Sequence, residues 1–464
     1  FDASNLVDNL KTRMEATGMQ FFYNTNAICQ LDRLFVQLSY SNETWAAGGE
    51  ENVVMFDPTH GTNIYRMKVC SFTTIDEHGH TVILAFALLA SESEDMFSWA
   101  FKCFGDVFPL PPSAIFTDSD PGIARALALC PYFGKVPHLL CIFHLSKNFY
   151  TNLKKYFSNH TEWKDLHNYF WRVCKQTDIS TCDRWNSDWT EIIELFKTYV
   201  ANSVHVQAAM DKGVKWLLHL QKKANSFAYR FTWQRRTWGI NSTARAEAIH
   251  SAIKGKAITH QLLTALVDDL CAYNMKSRKA SLAKVVASEA KLGSHKKYSQ
   301  CHPILVPLAP NVTSYAFELL FKQASQAMHY IVQLQESEGD SDNQLTKTYL
   351  VTRRQPPDTL SLSYDFEGNV EAYTWPDDDV DMDSSPRETS KYGCSCQLFE
   401  QCGVACRHMI AVLIHEQVKD VIVSDLIASK WQRVSPEEKE RRLQLLHQSH
   451  MRRHSHGDDN EPYD

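Results

Sequence analysis

The order of apolar segments between residues 53 and 145 constrains the fold of this chain more than any other feature. Five runs rich in β-branched and aromatic residues are separated by turns or by helical patterns, as in a sheet with helices packed on it. The predicted strands cover residues 53–56, 64–75, 81–89, 113–118 and 137–143. Gly79 fits a hairpin turn between the second and third strands, while Ser93 and Pro121 begin two helices. The pattern predicts an α/β fold with a mixed sheet.

Two acidic residues follow strands in this pattern. Asp57 ends the first predicted strand, just before Pro58, and Asp118 ends the fourth. Because the first and fourth strands of such a sheet can be neighbours, we expect the two carboxylates to lie side by side. Carboxylates that close repel each other unless divalent cations neutralise them, and two bridged Mg²⁺ ions support phosphoryl transfer. Taken alone, Asp57 is equally consistent with a turn residue, and Asp120 fits the cap of the helix at Pro121.

Glu247 is the candidate for the third acid that such a site requires. It lies in a predicted helix capped by Asn241 or Ser242. The apolar stripe of this helix consists of Ala246, Ile249 and Ile253. A second face carries Glu247, His250, Ser251 and Lys254. That face suits a metal ligand beside phosphate-contacting groups, and the alternative is plain solvated surface.

A cysteine-rich segment near the C-terminus predicts a zinc site. Cys394 and Cys396 form a C-x-C pair, and Cys406 and His408 form a C-x-H pair nine residues later. Three thiolates and one imidazole complete a tetrahedral Zn²⁺ site and leave no open position, so the ion is expected to be structural. Cys402 is a spare thiol in this interpretation, and a cysteine-rich turn without metal is the alternative.

A basic segment interrupts a chain whose net charge is −6. No acid occurs between Asp211 and Glu247, and the positive residues there alternate with aromatic ones. They are Lys212, Lys215, Lys222, Lys223, Arg230, Arg235, Arg236 and Arg245. Such a segment can bind phosphates and stack bases, but it fits a solvated helix face with core aromatics equally well.

Composition excludes some classes of protein. With 44% apolar and 22% charged residues in 464, the chain is expected to be globular. The longest apolar run, 82–90, is nine residues, short of the roughly 20 that cross a bilayer, so we expect no membrane contact. Thirteen cysteines, an odd number, favour reduced thiols in the cytosol or nucleus. Since the chain opens on Phe1, we expect a fragment of a longer protein.

The motifs in their order resemble a known family. "VVMFDPTHGTNIYRM", "AIFTDSDPGIARAL", "PHLLCIFHLSKNF" and "WGINSTARAEAIHSAIK" precede "CSCQLFEQCGVACRHMIAVL", and together they are similar to Mutator-like element (MULE) transposases with a SWIM zinc finger. They are similar also to the plant far-red-impaired-response transcription factors. The resemblance covers about half of the chain. It implies an RNase H-like fold of the DDE transposase type, with Asp57, Asp118 and Glu247 as catalytic acids and an all-α insertion between the last two.

The same resemblance assigns roles to residues around the acids. "CIFH" takes the family's C-x-x-H position, which implies that Cys141 and His144 order the active site or assist DNA contact; read alone, they are a core thiol and a helix-capping histidine. Further residues expected beside the acids or DNA are Trp238, Arg245, His250 and Lys254. His60 departs from the family, where an aromatic residue is frequent.

These expectations give the chain a domain plan. It consists of an N-terminal segment (1–50), the first part of the RNase H-like domain (51–157), the all-α insertion (158–237), the second part with further helices (238–335), a linker with strands (336–390), the SWIM finger (391–415) and a C-terminal helix with a polar tail (416–464). Helices are expected to continue to Gln335, and the acidic segment 336–344 is expected to be a linker.

The resemblance implies a transposase that cuts transposon ends and joins their 3′-hydroxyls to target DNA. Two Mg²⁺ (or Mn²⁺) ions would act at the acids, one Zn²⁺ would be structural, and the partners would be double-stranded DNA and further copies of the chain. The implied location is the nucleus. The alternatives are a catalytically silent DNA-binding regulator and a SWIM-domain adaptor.

Overall fold

The structure of the chain is a computed structural model. It describes residues 2–175, 182–201, 206–254, 261–292, 303–339, 345–354, 368–372, 392–394, 396–418 and 421–433, with residues 435, 437, 438, 440, 441 and 444. The chain divides into two compact units. The first comprises residues 1–155, 240–284 and 434–464, and the second comprises residues 156–239 and 285–433.

Both units contain helices and strands. The strands are β1 (Phe21–Thr25), β2 (Leu31–Gln37), β3 (Val53–Thr59), β4 (Lys68–Ile75), β5 (Thr81–Leu89), β6 (Ala114–Thr117), β7 (His138–Leu140), β8 (Tyr330–Gly339), β9 (Leu345–Arg353), β10 (Gly368–Ala372) and β11 (Tyr392–Cys394). The α-helices are α1 (Asp2–Thr17), α2 (Ser41–Gly48), α3 (Glu94–Val107), α4 (Pro121–Leu129), α5 (Ile142–Leu153), α6 (His160–Cys174), α7 (Cys182–Val200), α8 (Val206–Gln221), α9 (Tyr229–Thr232), α10 (Ala244–Lys254), α11 (Leu263–Leu292), α12 (Ser314–Ala327), α13 (Leu398–Cys402), α14 (Arg407–His415) and α15 (Val423–Leu426). Short 3₁₀ helices span Gly49–Glu51, Lys154–Tyr156, Ala224–Ser226, Pro303–Asn311 and Ser429–Trp431.

A seven-stranded mixed sheet forms the centre of the first unit, with strand order β1-β2-β5-β4-β3-β6-β7. β3 pairs antiparallel with β4 and parallel with β6, so the predicted neighbourhood of the first and fourth strands is confirmed. The β4–β5 hairpin turns at Gly79, whose φ of 71° suits glycine. Ser93 and Asp120 cap α3 and α4 through their side chains, as predicted.

Asp57 lies inside β3, which corrects the prediction that this strand stops before Pro58. The strand continues to Thr59 because β4 stays paired with it, with Asp57 opposite Ser71. Pairing with β6 ends at Met55, so Pro58 has one neighbouring strand instead of two. A residue without an N–H is tolerated at such an edge position. Asp57 therefore stands just past the residues that join β3 to β6.

The two faces of the sheet are buried in separate cores. One face packs against α2, α3 and α4 around a phenylalanine-rich cluster that includes Phe56. The other face packs against α1, α10 and α11 through residues such as Leu10, Ile249 and Leu266. Because side chains alternate along a strand, Phe56 points to the first core and Asp57 to the face covered by α10. Because of this alternation, α10 is the helix whose side chains can contact Asp57.

Three features of this unit differ from the predictions. β4 begins at Lys68 rather than at residue 64. β7 ends at Leu140. The backbone N–H of the next residue, Cys141, donates to the Thr117 carbonyl, and α5 begins at Ile142. β1 and β2 extend the sheet from the N-terminal segment, to which no element was assigned from sequence.

The second unit combines helices with a small antiparallel sheet of order β11-β10-β9-β8. The described residues between 158 and 237 form helices and no strand. The predicted continuation of helices to Gln335 is wrong at its end, since β8 begins at Tyr330, which pairs with Arg353. A short apolar run such as "YIVQL" is consistent with a helix or with a strand, and in this fold its pairing with β9 makes it a strand. Residues 336–339 of the predicted linker belong to β8, while residues 340–344 and the acidic tract 377–386 lie outside the described residues.

No described helix combines the length and apolar character that spanning a bilayer requires.

Candidate functional site

Asp57 is buried in a chain of hydrogen-bonding side chains on one face of the sheet. Its Oδ2 atom lies 3.0 Å from His250 Nδ1, and His250 Nε2 lies 2.8 Å from Ser71 Oγ. The exposed fractions of Asp57, His250 and Ser71 are only 4%, 5% and 3%. His250, which was predicted to lie beside the acids or DNA, therefore points into the sheet and contacts Asp57.

Glu247 lies on α10, close to its start. The predicted apolar stripe of this helix is buried, as expected. The helix begins at Ala244, later than a cap at Asn241 or Ser242 would place it, and the carbonyl of Thr243 accepts the N–H groups of Ala246 and Glu247. Burial raises the pKa of the Glu247 carboxyl, and the positive charge of His144 partly offsets this effect.

His144 joins the C-x-x-H pair to Glu247. It lies in the first turn of α5, and its Nε2 atom is 3.0 Å from Glu247 Oε1. The hydrogen bond with the Cys141 thiol raises the pKa of His144 to about 9, together with the charges of Asp57 and Glu247. Burial alone would raise the pKa of Cys141, but hydrogen bonds from His144 and Thr243 outweigh it and lower that pKa.

Thr243 was not identified from the sequence, yet it contacts three members of the site. Its hydroxyl donates to Asp57 Oδ1 at 3.3 Å and lies 3.4 Å from His144 Nδ1. Its backbone N–H donates to Cys141 Sγ at 3.2 Å. The only signal in the sequence was its position before the Glu247 helix, in "NSTARAE". Thr243 links the two motifs that carry Glu247 and the Cys141–His144 pair.

Three ligand atoms, from Asp57, His144 and Glu247, lie within 4.8 Å of one another. Asp118 is not a member of this group. One of its carboxylate oxygens accepts the N–H of Asp120 at 2.8 Å, and burial raises its pKa, with further contributions from Asp120 and Asp57. The negative charge of Asp57 therefore contributes to the raised pKa of Asp118. The Asp118 carboxylate itself is bound by the turn that leads into α4.

The donor set around Asp57 and Glu247 fits a divalent cation. Carboxylate oxygens are the ligands that Mg²⁺ and Mn²⁺ prefer. Glu247 Oε1 is shielded from solvent and has no hydrogen-bond donor in suitable geometry among the described residues, despite the nearby His144 ring. A buried carboxylate oxygen without a donor is unfavourable unless a cation approaches it.

The remaining residues predicted near the acids have other surroundings. Arg245 donates from Nη1 to the Gly79 carbonyl at 2.9 Å and to the Thr81 hydroxyl at 3.2 Å, so it ties α10 to the β4–β5 hairpin. Lys254 is exposed at the end of α10, and His60 is exposed in the segment after β3.

The four predicted zinc ligands lie together in the second unit. The ligand atoms of Cys394, Cys396, Cys406 and His408 are within 4.8 Å of one another. His408 Nδ1 is 3.6 Å from Cys394 Sγ and 3.9 Å from Cys406 Sγ. Zinc bonds of about 2.0–2.3 Å at tetrahedral angles separate ligand atoms by roughly 3.4–3.8 Å. Hydrogen bonds from Cys394 and Cys406 lower the pKa of Cys396 well below its usual range. The set fits one structural Zn²⁺ ion, and Cys402 is not a member of the group.

The finger packs against residues 229–238 of its own unit. The Tyr229 hydroxyl donates to the Cys396 carbonyl at 2.8 Å. The backbone N–H groups of Thr237 and Trp238 both donate to the Gln401 carbonyl, at 3.1 and 2.7 Å. Main-chain contacts of this kind require a folded finger.

Arg236 and Trp238, both predicted to lie near DNA, are buried in this contact. Arg236 is 9% exposed, donates to the Glu400 carbonyl, and lies over the rings of Trp238 and Phe399. Trp238 is 3% exposed and meets Trp431 edge-on, with ring centroids 5.3 Å apart. The basic segment is therefore not one continuous surface, because its C-terminal part supports the finger.

The exposed part of the basic segment lies on α8 and at the residue that follows it. Lys212, Lys215 and Lys222 are exposed, whereas Lys223, Arg230 and Arg235 are partly buried. A groove of about 570 Å³ runs along α7 and α8. It is lined by Lys197, Met210, Asp211, Val214, Lys215, Leu218, His219 and Lys222. This lysine groove, as we call it, is the described surface that retains the predicted positive charge.

Comparison with known proteins identifies both modules. The family model of the MULE transposase domain matches residues 53–148, and that of the SWIM zinc finger matches residues 379–417. The resemblance stated from the motifs is thereby confirmed.

Curated relatives extend over most of the chain. Protein FAR1-RELATED SEQUENCE 5 of Arabidopsis thaliana is 23% identical over 367 residues, which cover 78% of this chain and 40% of that protein. Protein FAR1-RELATED SEQUENCE 11 of Arabidopsis thaliana is 21% identical over 407 residues (85% and 50%). Protein FAR-RED IMPAIRED RESPONSE 1 of Arabidopsis thaliana is 22% identical over 423 residues (89% and 44%). The chain spans half or less of the length of these relatives.

Proposed function

We propose that the first unit is the DDE-type core of a transposase, which cuts phosphodiester bonds at transposon ends and joins the freed 3′-hydroxyls to target DNA. The observation that carries this proposal is the meeting of Asp57 and Glu247. They come from distant motifs, one on a central strand and one on a helix, yet their carboxylate oxygens lie within 4.8 Å. Paired carboxylates at such a separation suit divalent-cation phosphoryl transfer.

The arrangement of the sheet supports an RNase H-like fold for this core. A hairpin of antiparallel strands continues into parallel β6 and β7, and helices α6–α9 follow before the segment that carries Glu247. The matched MULE domain, residues 53–148, runs from β3 to α5. This span contains Asp57, Asp118, Cys141 and His144.

The chain's own residues would prepare the site for the reaction. Asp57, Asp118 and Glu247 would hold two Mg²⁺ or Mn²⁺ ions, which when bound supply charge neutralisation and lower the pKa of the attacking water or hydroxyl. His250 and Thr243 each engage one oxygen of Asp57 and so fix its rotamer. Orientation of this kind reduces the reorganisation that the reaction requires.

The proposed partner is double-stranded DNA, bound as transposon ends and as target by a homo-oligomer in the nucleus. The lysine groove would contact backbone phosphates, because exposed ammonium groups that neutralise phosphates release the counterions condensed on DNA. The SWIM finger would hold residues 229–238 in place beside α8.

A second candidate is a DNA-binding regulator without chemistry. Two of the three acids already have a histidine at 3.0 Å, His250 at Asp57 and His144 at Glu247, and these contacts compete with metal binding. The relatives are named for the far-red response rather than for transposition. A SWIM-domain adaptor with an inert scaffold is a variant of this candidate.

Metal-dependent cleavage distinguishes the candidates. We expect the purified chain to nick and transfer labelled duplex DNA that carries the terminal inverted repeats flanking its gene, with Mg²⁺ or Mn²⁺. Asp57→Asn and Asp118→Asn should abolish both steps, while Asp8→Asn, at an exposed position of α1, should not. Binding without cleavage in every metal condition favours the regulator, and equal cleavage by Asp118→Asn removes that residue from the site.

A further inference from the structure

We infer that His144 is itself a metal ligand and that, with Asp57 and Glu247, it forms a site for a first-row divalent transition-metal ion, with Mn²⁺ preferred to Mg²⁺. The inference rests on the two-acid site of the proposed function but not on DNA transfer. It assigns to the C-x-x-H histidine a direct role at the ion.

The hydrogen bonds of Thr243 determine which ring nitrogen is available. The Thr243 hydroxyl has a single proton, which it donates to Asp57 Oδ1. The contact at 3.4 Å between this hydroxyl and His144 Nδ1 then requires Nδ1–H to be the donor. A cation that replaces the proton on Nε2 would meet the Nε2 lone pair, while Nδ1–H stays on Thr243. A fixed partner on the other nitrogen is typical of metal-binding histidines.

Nε2 and Glu247 Oε1 are arranged around a common point. They lie 3.0 Å apart, but without hydrogen-bond geometry, and Oε1 is shielded from solvent. Without a metal, the charged imidazole offsets the charge of this carboxylate. A divalent cation that replaces the ring proton would be bound by both atoms. The Asp57 oxygen within the same 4.8 Å group provides a third ligand.

The ligand chemistry indicates which ion fits. Mg²⁺ takes oxygen ligands and retains its waters, whereas an imidazole nitrogen with two carboxylates suits Mn²⁺ and its heavier neighbours. The soft thiolates of the finger select zinc instead. The two metal sites of the chain can therefore be loaded separately.

Pulsed electron paramagnetic resonance of bound Mn²⁺ tests this assignment. The full chain is first loaded with one equivalent of Zn²⁺ and then titrated with Mn²⁺ or Mg²⁺. We expect a ¹⁴N coupling from a directly bound imidazole, replaced by a ¹⁵N coupling when histidine is ¹⁵N-labelled. His144→Asn should abolish the coupling and weaken Mn²⁺ binding by at least about tenfold, the lower end of the loss for an outer partner of a metal site. His60→Asn, at an exposed histidine three residues after Asp57, should change neither.

The other outcomes overturn the inference in separable ways. Mn²⁺ that binds in an Asp57-dependent manner without nitrogen coupling excludes His144 as a ligand and leaves the metal site of the proposed function intact. A coupling that survives in His144→Asn assigns it to another histidine. If Mn²⁺ binding is the same in wild type and Asp57→Asn, both the ligand assignment and the proposed metal site fail. The absence of a nitrogen coupling in the labelled wild-type protein would exclude the assignment even if a variant does not fold.

Discussion

His250 Nδ1 lies 3.0 Å from Asp57 Oδ2, and both side chains are buried on the face of the sheet that α10 covers. The other ring nitrogen contacts Ser71 on the neighbouring strand. A buried carboxylate is costly unless it is paired and hydrogen-bonded. His250 therefore makes it possible for β3 to carry an acid in its interior, and it ties the helix of Glu247 to the strand of Asp57.

Loss of the Ser71 hydroxyl should destabilise the first unit. Ser71→Ala leaves a buried ring nitrogen of His250 without its partner, at a cost of about 1–3 kcal/mol in the free energy of unfolding. Urea denaturation measures the change. Ser251→Ala, an exposed serine next to His250 on α10, should stay within about 0.5 kcal/mol. Equal effects of the two substitutions would contradict a stabilising role for the buried hydrogen bond between Ser71 and His250.

The β4–β5 hairpin should carry a pH-dependent contribution to stability. Burial works to raise the pKa of Asp76, but hydrogen bonds from the side chain and backbone of His80 outweigh it and keep the pKa below 3.8. A lowered carboxyl pKa stabilises the fold above the unfolded value, and this contribution disappears as pH falls through the folded value. Wild type should exceed Asp76→Asn in urea midpoint at pH 6, and the gap should narrow between pH 4 and 3. A constant gap would count against the prediction.

Removal of zinc should release residues 229–238 together with the finger. Cys394→Ser combined with His408→Ala removes two of four ligands, so native mass spectrometry should show one Zn²⁺ fewer. Because Trp238 and Trp431 are buried at the finger, their fluorescence should shift to the red. Cys402→Ser is the matched control and should retain the ion. Zinc retained by the double variant would exclude these ligands.

Gly403 should not tolerate a side chain. A Cβ atom there would lie 2.7 Å from Trp238 Cζ3 and 2.8 Å from Ala428 Cβ, at a φ of +66°. Gly403→Ala combines overpacking with left-handed strain, which together cost roughly 2–4 kcal/mol. Gly239 has a similar φ, but a Cβ atom there would have a looser contact, 3.4 Å from Cys402 Sγ. Gly239→Ala should therefore lower the free energy of unfolding by about 1 kcal/mol, measured by thermal or urea unfolding. A larger effect at Gly239 would show that the backbone strain dominates.

Neutralising the lysine groove should weaken DNA binding in a salt-dependent manner. Lys215→Gln with Lys222→Gln removes two charges, so the slope of log affinity against log salt should fall by about 1.8. Fluorescence anisotropy with a labelled duplex at several salt concentrations measures the slope. Lys11→Gln, at an exposed position of α1 in the other unit, should leave it unchanged. An unchanged slope in the double variant would place the DNA elsewhere.

Local patterns predicted much of the first unit because their causes are local. The alternation of strands and helices, the caps at Ser93 and Asp120 and the buried stripe of α10 follow from side-chain period and hydrogen bonding within a few residues. The C-x-C and C-x-H pairs likewise bring their ligands close through short loops, so spacing alone identified the zinc set. The strand end at Pro58 was misjudged because pairing with β4 overrides the local preference of proline.

The environment of each candidate residue depended on contacts between distant segments. His250 and Lys254 share a helix face in the sequence pattern, yet one is buried against Asp57 and the other is exposed. In the sequence, Arg236 and Trp238 fit a DNA-binding surface, whereas in the structure α13 packs on them. Thr243 gave almost no signal, since its partners belong to β3 and α5.

The sequence by itself determined the kind of sheet and the group of Cys and His residues that fits zinc, and it proposed Asp57, Asp118 and Glu247 as acids, because periodicity, spacing and residue chemistry can be read along the chain. Only the tertiary structure decided that His144 rather than Asp118 joins Asp57 and Glu247, that His250 and Ser71 hold Asp57, and that the finger supports residues 229–238. These outcomes depend on which long-range pairings satisfy buried polar groups, and that choice is made only when the whole unit packs.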